Sequence, residues 1–119
     1  MAHPHALPWQ KLIITAACLT AVVWVISRFW MRNTVVFVFL LCAVVAVFLR
    51  KDARGRDAIP IIVGAVTGPT MEAIIIHFGG WTYSNPSFFG IPVWLPLLWG
   101  LSIFFLMRIS IWVSGDMKK

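Results

Sequence analysis

Four apolar stretches follow one another along the chain, from about Lys11 to Trp30, Thr34 to Leu49, Ala58 to Phe78 and Pro92 to Val113, with short polar or turn-rich intervals between them. Runs of this length exclude a barrel. Lipid cannot satisfy backbone amides, so each run is predicted to be a helix that closes its own hydrogen bonds. One crossing takes roughly 20 residues, and 119 residues therefore hold about four. The second run spans only about 24 Å at the helical rise and relies on local thinning of the bilayer or on its flanking residues. The predicted fold is all-α, a polytopic membrane protein formed as a four-helix transmembrane bundle, with residues 1–119 making one domain.

Composition agrees with the pattern: 61% of residues are hydrophobic, 12% are charged, and mean hydropathy is +0.90, far from ordinary soluble chains. The basic residues add direction. Placing the amino terminus inside puts Lys11, Arg50, Lys51, Arg54, Arg56, Arg108, Lys118 and Lys119 on the cytoplasmic side and leaves only Arg28 and Arg32 outside. The connection from Gly79 to Ile91 carries no charge, as an external loop should. This predicts a multi-pass protein of the cell's inner (plasma) membrane with both termini cytoplasmic. The net charge of +6 is then mainly an orientation signal and an attraction to anionic lipid, and the basic run RKDARGR does not imply a nucleic-acid partner. The leader MAHPHALPWQ is long and uncharged before Lys11, and Ser27, Arg28 and Phe29 make a poor cleavage site, so the first run reads as an anchor rather than a signal peptide.

Against this background one residue stands apart. Glu72 lies within the third run, and an acidic group at such depth normally faces a bundle interior or wet cavity and marks a site. Gly64, Gly68 and Glu72 recur every four residues, so they share a face whose two glycines form a GxxxG helix-packing pattern. Pro69 obstructs the carbonyl of Ala65 and predicts a kink beneath the carboxyl group. Counting about 21 Å of helix from Ala58 puts Glu72 in the outer half of the membrane, and Trp99, counted inward from Pro92, reaches the same level. An indole N–H needs a partner when buried and a carboxyl can accept it. His77 is the other titratable candidate, for a proton relay or general acid. It lies about 140° from Glu72 in azimuth, so pairing requires the helix to unwind near Gly79 and Gly80. The segment GGWTYSNPSFFGIPVWLP supplies Trp81, Tyr83 and Trp94. These belong either to the aromatic belt of the interface or to a fixed re-entrant loop covering Glu72, with the turn formers Asn85, Pro86, Gly90 and Pro92 favouring the latter.

Other chemistry is sparse. One Glu and one His in the membrane fall short of a usual metal ligand set, so neither metal nor cofactor is expected. His3 and His5 read as a solvated tail. Cys18 and Cys42 read as packing thiols at a shared depth, and Arg28 and Arg32 as grips on headgroup phosphate. No nucleotide loop, GxSxG or CxxC occurs.

The string GPTMEAIIIHFGGWTYSNPSFFGIPVWLPLLWG, about residues 68–100, resembles the carotenoid biosynthesis membrane proteins, a group that includes carotenoid hydratases. The likeness rests on the order of Gly68, Glu72, Gly80, Trp81, Tyr83, Gly90, Pro92, Trp94, Pro96 and Trp99. It covers about a quarter of a chain half as long as those relatives, and the half that would hold further acids is missing. The resemblance implies that Glu72 is the acidic residue ahead of the Gly and Tyr motif, that Tyr83 and Trp99 are its aromatic followers, and that the substrate is a membrane lipid or isoprenoid. Hydration of an alkene needs a proton donor and aromatic faces to stabilise a cation. Glu72 supplies the first, and the base is left to His77, a homo-oligomer partner, or nothing. Two other classes stay open. One is a non-catalytic subunit or assembly factor docking a partner membrane subunit at Gly64 and Gly68. The other is a small proton-coupled transporter, although the small multidrug resistance proteins that share this size carry their acid in the first helix.

Overall fold

The computed structural model describes residues 8–50 and 53–114. Four α-helices follow in chain order: α1 (Trp9–Phe29), α2 (Asn33–Phe48), α3 (Ala58–His77) and α4 (Leu95–Ser114), with a 3₁₀ turn at Gly55–Asp57 ahead of α3. Among the described residues there is no strand, only an isolated bridge between Phe88 and Ile91. Three helices are long and apolar enough to cross a membrane, while α2, at 16 residues, is the short apolar one. The body measures 54 × 26 × 24 Å, enough for a hydrocarbon core about 30 Å thick. Of the charges used to orient the chain, Lys51, Lys118 and Lys119 lie outside the described residues, as do His3 and His5.

Two helix starts depart from the hydropathy reading. The first helix begins at Trp9, where the Pro8 carbonyl accepts the Leu12 amide at 3.0 Å. Lys11 therefore sits inside the first turn instead of marking the boundary. The last begins at Leu95 and not at Pro92, because Pro92 closes a turn onto the Leu95 amide at 3.1 Å. Pro96 is tolerated in the first helical turn, where its missing N–H has no intrahelical partner to lose.

The tightest pairing is α3 against α4, and glycine makes it. A Cβ on Gly64 would stand 2.5 Å from the Trp99 carbonyl oxygen, and one on Gly100 would stand 2.7 Å from that of Ile61. Gly68 lies directly under the Trp99 indole, where a methyl group would overlap ring carbons. The GxxxG face is therefore spent within the chain, with Gly100 as its counterpart on α4. Helix α3 continues through the buried Pro69. It ends in a Schellman motif, in which the Gly79 amide donates to Ile76 O at 3.0 Å and the Gly80 amide to Ile75 O at 2.9 Å. Gly79 takes φ +85°, the left-handed value that this cap requires. Helix α1 has the slimmest contacts, touching α2 and α4. Much of its surface is apolar and exposed, including Ile13, Ile14, Val23 and Trp24, as suits a face turned to lipid.

At the end where α3 begins, Asp57 ties three segments together. Its carboxylate accepts from Arg50 Nη2 at 3.0 Å, from the Arg54 backbone amide at 3.0 Å and from Arg108 Nη2 at 3.4 Å. Both guanidinium groups also lie over the Phe104 ring, at 5.2 and 5.4 Å from its centroid. The polar grouping therefore rests on an aromatic floor.

Candidate functional site

Glu72 is 9% exposed, a carboxyl group enclosed between helices. Its two oxygens are held by donors from two different segments. Trp99 Nε1 on α4 donates to Oε2 at 2.6 Å, and the Tyr83 hydroxyl, from the connection after α3, donates to Oε1 at 2.5 Å. The levels counted along the two helices thus meet in a direct bond. An indole N–H can only donate, so Oε2 is fixed as an acceptor, whereas a phenol can give or receive and the Oε1 edge can exchange a proton. Each oxygen keeps a further lone pair.

Burial first, then the hydrogen bond to Glu72 and that group's charge, push the Tyr83 phenol above its ordinary range. It therefore remains a protonated donor across physiological pH. Since Tyr83 is half-buried, it links the enclosed carboxyl to the side of the bundle from which the connection descends.

That connection is built, not slack. Asn33, at the start of α2, accepts from Trp94 Nε1 at 3.0 Å and donates through Nδ2 to Asn85 O at 3.0 Å and Ser87 Oγ at 3.1 Å. Asn85 Nδ2 answers by donating to Met31 O at 2.6 Å, and the Val93 amide donates to Ser87 Oγ at 3.1 Å. A two-residue hairpin turn reverses the chain between Phe88 and Ile91, with positive φ at Phe89 (49°) and Gly90 (80°). This is the primed geometry that suits hairpins. A bulky residue in that region is uncommon, and Phe89 is also 82% exposed.

Of the residues singled out from the sequence, Tyr83 and Trp99 are brought to Glu72, and Gly64, Gly68 and Pro69 lie buried along the contact face. Trp94 is buried but turns its indole to Asn33. Trp81 is exposed at the surface. His77 is exposed at the end of α3, its ring edge-on to Phe78 with centroids 5.0 Å apart. Cys18 and Cys42 are free thiols on exposed positions. Asn33, Ser87, Gly100 and Asp57 were not singled out, although each is essential to the contacts above. Asn33 had a readable signal: an amide at the head of an apolar helix, facing a loop rich in polar turn residues. Among the described residues, no three His, Cys, Asp or Glu side chains gather as a metal site. No protein-family model, curated protein or solved structure matches this chain.

Proposed function

We propose that this is a multi-pass protein of the inner (plasma) membrane, both termini cytoplasmic, whose Glu72 site near the outer leaflet binds an isoprenoid- or carotenoid-type lipid and hydrates a double bond in it. The observation that carries the reading is the enclosed carboxyl group of Glu72, held between the hydroxyl of Tyr83 and the indole of Trp99. In the forward step the carboxyl O–H gives its proton to one alkene carbon, and the π electrons form the new C–H bond. The cation left on the other carbon is stabilised by the aromatic faces. Water adds there and returns a proton to the carboxylate, so the acid is regenerated and no oxidant or reductant is consumed. Tyr83 and Trp99 stabilise the carboxylate between those two transfers.

A second reading has its own support. Both Glu72 oxygens are met by donors of the same chain, which is how a buried acid would be satisfied if it served only to fasten α3, α4 and their connection. On that reading the protein is a non-catalytic membrane subunit. Its partner would need another surface, because Gly64 and Gly68 are already covered by Trp99 and Ile103.

Lipid extracts from cells with the native protein, Glu72→Gln or no protein separate the classes. Hydration predicts a hydroxylated polyprenoid with the native chain alone. Equal behaviour of the native and Gln proteins favours the subunit, and loss of cation resistance with unchanged lipids favours transport. Reporter fusions at each terminus test the orientation.

A further inference from the structure

A cavity of about 470 Å³ opens between α1, α2 and α4, at the Asp57 end of the bundle. Glu72 stands 15 residues along α3, roughly 22 Å of helix away. The volume falls within the roughly 300–1,000 Å³ usual for small-molecule sites. Val22, Ala43, Val47 and Phe105 give it apolar walls, and Ile14 and Cys18, which also line it, are exposed on α1. The hollow therefore opens sideways, to the surface that faces acyl chains.

Its lining also includes three cations, Lys11, Arg50 and Arg108. They come from the first turn of α1, the end of α2 and the last turns of α4, so all three stand at one end of an otherwise apolar space. Asp57 accepts from both arginines, and the Arg50 and Arg108 side chains still keep 31% and 23% of their surface open. Lys11 Nζ lies 5.9 Å from the centroid of the Trp112 ring, an aromatic suited to the headgroup level. Cations over one end of a lipid-facing apolar slot match an amphiphile with an anionic head, and basic pockets between transmembrane helices bind such headgroups.

We propose that this cavity is a binding site for one acidic phospholipid, its phosphate at Lys11, Arg50 and Arg108 and one acyl chain between α1, α2 and α4. The site is separate from Glu72 and does not depend on the chemistry proposed there.

The test is native mass spectrometry of the full chain released from mild detergent after titration with phosphatidylglycerol, phosphatidylcholine of the same chains, or inorganic phosphate. Phosphatidylglycerol is expected to remain bound at about tenfold lower concentration than phosphatidylcholine, and inorganic phosphate not to be retained. Lys11→Gln should weaken retention about fivefold, the effect of one cation near a phosphate. Ala43→Phe, which fills the slot and keeps every charge, should abolish it, and Glu72→Gln should leave it unchanged. Circular dichroism and a monodisperse elution profile establish that each variant is folded. Equal retention of the two lipids, retention of phosphate alone, or undiminished binding by folded Ala43→Phe overturns the proposal. So does Cys18 cross-linking showing that a second copy of the chain covers the slot.

Discussion

Gly68→Ala is the sharpest probe of the α3–α4 contact. The added methyl group would overlap Cγ, Cδ2 and Cε3 of the Trp99 indole, which cannot yield by a simple rotation because its nitrogen is bound to Glu72. Either the helices separate or the indole moves and Oε2 of Glu72 loses its donor. Overpacking of this kind costs about 1–3 kcal/mol, and a buried polar atom left unmet costs about 1–3 kcal/mol more. The expected destabilisation is therefore roughly 1–3 kcal/mol if the helices separate, and roughly 2–6 kcal/mol if the donor is lost as well. Gly55→Ala is the control, since a Cβ there meets nothing within 4 Å, and it should change stability by no more than about 0.5 kcal/mol. Thermal unfolding in detergent, followed by loss of the monodisperse peak, reads both. The test becomes specific in a double-mutant cycle: with Trp99→Ala already present, Gly68→Ala should cost much less, because the obstructing ring is gone. If Gly68→Ala is as harmless as Gly55→Ala, or costs the same with and without Trp99, the account of this interface is wrong.

The chain has a single tyrosine, so absorbance near 295 nm reports Tyr83 alone. Because its phenol is pushed up, tyrosinate should appear only well above pH 10. Its contribution to stability is complete below the ordinary phenol range and is lost as the pH climbs through the raised value. Glu72→Gln should lower that titration midpoint without restoring an ordinary one, since burial is the leading cause. Asn33→Ala removes the acceptor of the buried Trp94 indole and two bonds to the connection. It should cost about 1–3 kcal/mol and speed proteolysis between Gly79 and Val93. Asp57→Ala leaves Arg50 and Arg108 without their shared carboxylate, and should cost about 1 kcal/mol, a difference that shrinks as salt is raised.

Much of the architecture was legible because lipid permits so few solutions. Long apolar runs fixed the existence and order of α1 to α4, and the four-residue spacing of Gly64, Gly68 and Glu72 marked the face that α4 covers. Rise per residue was enough to match Trp99 with Glu72. What hydropathy could not convey was where polar side chains bond across long sequence separations. Asn33 meets Asn85 and Ser87 more than fifty positions away, and Asp57 gathers Arg50 and Arg108 through side-chain bonds that leave no periodic trace. The helix starts at Trp9 and Leu95 escaped for local reasons: Lys11 lies inside the first turn of α1 and so looks like a boundary, whereas Pro92 belongs to an apolar turn ahead of α4 that hydropathy does not separate from the helix.

The unequal seams within the bundle have a dynamic consequence. Glycine contacts and the carboxyl cluster interlock α3 with α4, while α1 leans on its neighbours along a narrow strip. Amide exchange should therefore be stratified, with α1 protons lost through local detachment and those of α3 and α4 only through global opening. A protein layered this way can swing one helix outward like a door, while the enclosed acid and its two donors remain in register behind it.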